Sequence, residues 1–235
     1  MDFAQQVADS AATLVRDNGQ VLPLPLSAQR LTGTYTSSNA YRSSGTGAPV
    51  VAVIMTDDVR SEYGRVFELE LRRRAKAKVY LIDGAIAAGM TPEILDAVKQ
   101  AEKVVVAAYV VPTAAKQTVV NGLLTNTVGL SDATGNLMRQ LLQAAAPKTA
   151  VIAMGNPYLA SNFPDVQTYI CTYSNAPTSE RSAVKLLFGE MQLKGKLPVS
   201  LPGIADRGFG LELKPQELRV ASVPVKPTSG AAQIE

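Results

Sequence analysis

Val50-Val51-Ala52-Val53-Ile54-Met55 is an apolar run with no polar residue at alternate positions. A strand with one face in water alternates, whereas a strand without alternation is covered on both faces, as in a parallel sheet between helical layers. Runs of the same kind recur at Lys78 to Ile82, Lys103 to Tyr109, Thr149 to Met154 and Thr168 to Thr172. Helical patterns lie between and after them, at Glu62 to Ala75, Pro92 to Gln100, Asp132 to Ala145 and Glu180 to Phe188. This alternation predicts a three-layer α/β/α sandwich with a mostly parallel sheet, in flavodoxin-like or Rossmann-like order. Thr91-Pro92 reads as an N-cap followed by proline at the first helical position, Ser131 or Asp132 as the cap of the next helix, and Pro147 as a stop.

Outside this block the text is less regular. Phe3, Val7, Ala11, Leu14 and Val15 fall at helical spacing and predict a helix from Phe3 to Arg16, ended by Asn18-Gly19. The prolines of Val21-Leu22-Pro23-Leu24-Pro25-Leu26 require an extended segment. Ser27 to Pro49 turns to Ser, Thr, Gly, Asn and Tyr, the composition of a long surface loop, and Lys214 to Glu235 has no clear period. The expected organisation is an entry segment of helix and extended chain over 1–26, a polar loop over 27–49, an α/β domain over 50–213 and a C-terminal tail over 214–235.

Composition narrows the chemistry. The 235 residues are 46% hydrophobic and 18% charged, with no His, no Trp and one Cys, Cys171. Without His, neither a Ser-His-Asp nor a Cys-His nucleophile can be built from this chain alone, and one thiol makes neither an intrachain disulfide nor a multi-thiolate metal site. The net charge of +3 is too small an excess to point to a polyanion. Arg72-Arg73-Arg74-Ala75-Lys76-Ala77-Lys78 is strongly basic, but it closes a helical stretch, where cations favour the negative end of the dipole, and no aromatic platform accompanies it. No nucleic-acid partner is expected. No apolar run approaches the roughly 20 residues that span a bilayer, and no basic-then-apolar leader opens the chain. The compartment stays open between bacterial cytoplasm and exterior, with any signal peptide lying upstream.

Ligands of an open parallel sheet bind beyond the carboxyl ends of its strands. The candidate loops are Thr56-Asp57-Asp58, Val110 to Gly129, Gly155-Asn156-Pro157 and Tyr173 to Thr178. Asp57-Asp58 resembles the acidic pair of response-regulator receivers, but the third strand ends in Ala107-Ala108-Tyr109 and lacks their aspartate, so helix capping or surface acidity accounts for the pair better. Gly45-Thr46-Gly47 precedes the first strand instead of following it, Gly195-Lys196 lacks the rest of a P-loop, and Ser43-Ser44-Gly45 makes no nucleophile elbow. Tyr158, Tyr169 and Tyr173 offer either a sugar-stacking surface or core packing, and their flanking of a strand favours packing.

A more specific signal is Asn156-Pro157-Tyr158-Leu159, Phe163-Pro164-Asp165-Val166, then Ser182 to Glu190 with Leu187-Phe188-Gly189-Glu190, closing on Gly195-Lys196-Leu197-Pro198-Val199-Ser200-Leu201-Pro202-Gly203. In this order the motifs resemble the C-terminal α/β domain of glycoside hydrolase family 3, nearer its β-N-acetylglucosaminidase-like branch than its β-glucosidase-like one. The motif residues have structural roles by type: a sharp turn at Asn156-Pro157, a helix end at Gly189, and prolines bracketing an extended piece. The long polar loop of 27–49 departs from the family's usual short entry.

The resemblance implies that the nucleophile of a retaining mechanism lies on a TIM barrel outside this chain. It implies that the β-glucosidase branch would place an acid/base Glu in the loop after the third strand, where Val110 to Ser131 here holds no Asp or Glu. In the other branch the acid/base is an Asp-His pair on the barrel. The expectation is a non-catalytic domain with no catalytic, cofactor-binding or metal-binding residue of its own and no cofactor. Its partner would be the barrel, with a sugar substrate at the interface, and the intact parent would hydrolyse β-linked N-acetylglucosamine or glucose. The alternative is a free-standing α/β binding or scaffold module.

Overall fold

The computed structural model describes residues 3–26, 50–110, 117–120, 123–126 and 129–215. The expected loop over 27–49 and most of the expected tail lie outside these residues.

Helix α1 (Phe3–Ala11) leads into strand β1 (Thr13–Asp17), and the regular block follows as β2 (Val50–Met55), α2 (Arg65–Arg74), β3 (Ala77–Ile82), α3 (Ala87–Gln100) and β4 (Lys103–Val110). A hairpin of β5 (Gln117–Val120) and β6 (Leu123–Asn126) precedes α4 (Asp132–Ala145), β7 (Thr149–Gly155), β8 (Thr168–Cys171) and α5 (Pro177–Leu187). The main sheet runs β1-β8-β7-β4-β2-β3. All neighbouring pairs are parallel except β1 with β8. Taken in chain order, the five parallel strands are arranged 2-1-3-4-5, the flavodoxin-like of the two expected orders.

Strand β2 is buried along its whole length, and so are β7 up to its last residue and β4 after its first, which is why these segments carry aliphatic side chains on both faces. On one face Val51, Val53 and Met55 pack with Ile94 and Val98 of α3 and Leu137, Met138 and Leu141 of α4. On the other, Val50, Ala52 and Ile54 pack with Phe67 and Leu71 of α2 and Ala183, Val184 and Leu187 of α5. Each such aliphatic or aromatic side chain contributes about 1.5–3 kcal/mol on full burial.

Two sequence expectations are corrected. The first helix stops at Ala11 instead of reaching Arg16, because Leu14 and Val15 lie in an antiparallel strand against β8, with Leu14 opposite Ile170. Thr91-Pro92 does not start a helix: α3 begins at Ala87 and contains Pro92. The Thr91 hydroxyl donates to the Ala87 carbonyl at 2.8 Å in that turn. Ser131, by contrast, is the cap of α4, its hydroxyl accepting from the Thr134 amide at 3.3 Å. The basic run does close α2 as a solvated, paired end. Arg72 meets Glu68 at 2.9 Å, Arg73 meets Glu70 at 2.9 Å, and Arg74 bridges Glu70 at 2.6 Å and Glu190 at 2.8 Å. None of the helices among the described residues is long and apolar enough to cross a membrane.

Candidate functional site

The parallel register brings the ends of β2, β3, β4, β7 and β8 to one edge of the sheet. The chain steps from β2 outward to β3 and then back to β4 on the other side of β2, so the topological switch lies between β2 and β4. Four of the segments named from sequence therefore converge on this edge: Thr56-Asp57-Asp58, the chain after Val110, Gly155-Asn156-Pro157 and Tyr173 to Thr178. The segment after Val110 contains the β5–β6 hairpin, which the sequence reading treated as loop.

Two carboxylates that sequence reasoning did not single out sit at this edge. Glu180, on the first turn of α5 and only 2% exposed, accepts the Gly64 amide at 2.8 Å and the Phe67 amide at 2.7 Å. It supplies in trans the negative charge and acceptors that the N-terminus of α2 needs, since Gly64 has no side chain to cap with. Asp83, directly after β3, accepts the amides of Ala85 at 2.9 Å and Ile86 at 3.2 Å with one oxygen and of Val59 at 3.1 Å with the other. Both carboxylates thus fasten the segment from Val59 to Phe67, one from each side. Asp83-Gly84 after a strand was a readable turn signal; the Glu180 contact spans 116 positions and leaves no local trace.

Asp57-Asp58 does not cap α2, whose N-cap is Gly64. Asp58 instead accepts the Arg60 amide at 2.8 Å and pairs with the Arg60 guanidinium at 2.9 Å in the open. These Arg60 hydrogen bonds hold its carboxyl below the usual range.

The tyrosines divide. Tyr169 is buried and donates to the Pro157 carbonyl at 2.8 Å while accepting the Ala160 amide at 3.3 Å, so it locks the turn that opens at Asn156. Asn156 accepts the Tyr158 amide at 3.0 Å. Tyr173 is half-buried with a positive φ of 59°, and burial pushes its hydroxyl up to about 12. Tyr158 alone is largely in solvent, at 42% exposure. The structure therefore does not assemble the three into a stacking surface. Tyr109, at the end of β4, stacks on Tyr63 with ring centroids 5.8 Å apart. Burial, and then the negative charge of Glu180, raises its ionisation far above the ordinary value.

Gly195-Lys196 is explained by packing. A side chain at Gly195 would drive into the main chain of Ala12, and Lys196 reaches the Gly210 carbonyl at 2.9 Å and Glu212 at 3.3 Å. Among the described residues, no group of three or more His, Cys, Asp or Glu side chains is arranged to hold a metal. Gly45-Thr46-Gly47 and Ser43-Ser44-Gly45 lie outside the described residues.

These features define a doubly wound α/β domain whose strand-end loops are braced by buried carboxylates and a tyrosine. The chain belongs to the glycosyl hydrolase family 3 C-terminal domain family, whose model matches residues 12–223. Solved structures share the fold. A fungal multidomain family 3 β-N-acetylglucosaminidase is 19% identical with a TM-score of 0.59, covering 86% of this chain and 19% of its own. A family 3 β-N-acetylglucosaminidase from Paenibacillus sp. str. FPU-7 is 20% identical with a TM-score of 0.56, covering 84% and 32%. A β-glucosidase from Erythrobacter marinus is 13% identical with a TM-score of 0.60, covering 88% and 34%. The chain thus spans between about a fifth and a third of these proteins. No curated protein matches it.

Proposed function

We propose that this chain is the non-catalytic C-terminal domain of a family 3 glycosidase. The intact protein hydrolyses β-linked N-acetylglucosamine or glucose, with nucleophile and acid/base on a TIM-barrel domain that packs against the carboxyl edge of this sheet. Family membership supports the glycosidase, and one observation carries the non-catalytic role. The two buried carboxylates at the strand ends, Glu180 and Asp83, are both committed to main-chain amides. A carboxylate that accepts two or three amide hydrogens is held in its ionised form and has little capacity to deliver a proton to a leaving group. The domain then shapes one wall of the cleft and positions its loops there.

The natural reading frame tests this assignment. A barrel-coding sequence upstream, in frame or as an adjacent gene, is expected; a frame with neither contradicts the proposal and favours a free-standing module.

A further inference from the structure

An open groove of about 680 Å³ lies at the edge of the sheet opposite the strand-end loops. It is bounded by the turn after β1, the last turn of α4, and the segments that enter β7 and β8, so it is remote from the surface assigned above to the barrel. Its walls are tied together by the main chain. The Asn18 amide donates to the Gln167 carbonyl at 2.9 Å, and the Arg16 guanidinium donates to the Val166 carbonyl at 2.8 Å. Gly19 lies so close to Pro147 that a Cβ there would sit 2.8 Å from the proline carbonyl oxygen. The groove is therefore preformed and need not be ordered by a ligand.

The lining decides what fits. Asn18, Gln143 and Gln167 contribute side-chain amides, each with a donor end and an acceptor end, which is the combination that complements hydroxyl groups. Arg16 and Asp165 bring one charge of each sign, so the groove favours no net charge in its occupant. Pro147 and Pro164 give short apolar faces, and no aromatic ring lines it. The volume falls within the roughly 300–1,000 Å³ of small-molecule sites. We propose that this groove binds a neutral, polyhydroxylated ligand one to two pyranose rings in size, as a carbohydrate site separate from the strand-end loops. Lacking a stacking platform, it binds with a Kd of about 1–10 mM.

The proposal needs only this chain, so its outcome is independent of the barrel. Titrating the isotope-labelled full chain with cellobiose, in parallel with glucuronate, tests it by amide chemical shifts. Cellobiose is expected to move the side-chain amides of Asn18, Gln143 and Gln167 saturably. A Gln143→Ala/Gln167→Ala double variant should weaken that binding at least about fivefold, as the loss of hydrogen bonds to hydroxyls predicts. Neither glutamine side chain is buried, so the variant keeps the fold, and its unperturbed amide spectrum elsewhere verifies this. No shift up to about 50 mM cellobiose, shifts confined to the Asn156–Tyr158 turn, persistence of binding in the double variant, or a response to glucuronate alone would each overturn the proposal.

Discussion

Glu180 is the residue on which the strand-end architecture most depends. Replacing it by Ala leaves the Gly64 and Phe67 amides buried without acceptors and should cost about 3 kcal/mol, read as a lower urea midpoint, while Glu180→Gln, which keeps one acceptor oxygen, should cost less. Cys171 illustrates the opposite kind of buried group. Burial pushes its thiol up to about 12, so it carries almost no thiolate at pH 8. A thiol reagent should leave the native chain unlabelled at that pH and label it fully in urea. At this scale the sequence was readable where a residue acts locally, as Ser131 does by capping its own helix. It was opaque where two distant segments meet: Gly195 looked like part of a failed phosphate loop, yet the reason for glycine is the main chain of Ala12, brought there by the fold.

Elements with a full hydrophobic period were the legible ones. The run Val50–Met55 and the helix Asp132–Ala145 stand in the structure where the periodicity set them, because both are buried as their patterns demand. Strand β1 was not legible, since Leu14 and Val15 continue the spacing of the helix before them and only pairing with β8 makes them extended. The β5–β6 hairpin was missed for a similar reason, its strands being short and too weakly patterned to stand out from a loop. Helix α1 itself is held by a polar contact. Asp9 accepts the Ser182 hydroxyl at 2.6 Å and Gln5 at 2.8 Å, and pairs with Lys185 at 2.7 Å, fixing α1 on α5. Burial alone would raise the Asp9 carboxyl, but these hydrogen bonds and the lysine charge outweigh it and lower the pKa below 3.8. A depressed folded-state pKa stabilises above the unfolded value and loses that contribution as pH falls through the folded one. Asp9→Asn should therefore be less stable than the parent chain at pH 6, the gap closing as pH drops below about 4. Amide exchange in α1, measured at both pH values, checks this; an unchanged gap would contradict it.

The whole molecule presents two edges with different construction. The carboxyl edge carries the braced loops that family membership and topology assign to a larger enzyme, and the opposite edge carries the polar groove. The sheet order was half legible, as the alternation of strands and helices established a parallel sandwich but left two strand orders open. The choice rests on long-range register that no local pattern records. The family resemblance was readable because its motifs sit at turns, Asn156-Pro157 and Leu187-Phe188-Gly189-Glu190 among them, where backbone geometry restricts residue type. The most direct test of the central claim is release of p-nitrophenol from its β-N-acetylglucosaminide and β-glucoside by the purified chain. The account predicts no release above the buffer blank across pH 4 to about 8. Turnover that disappears on substitution of a single carboxylate in this chain would contradict it.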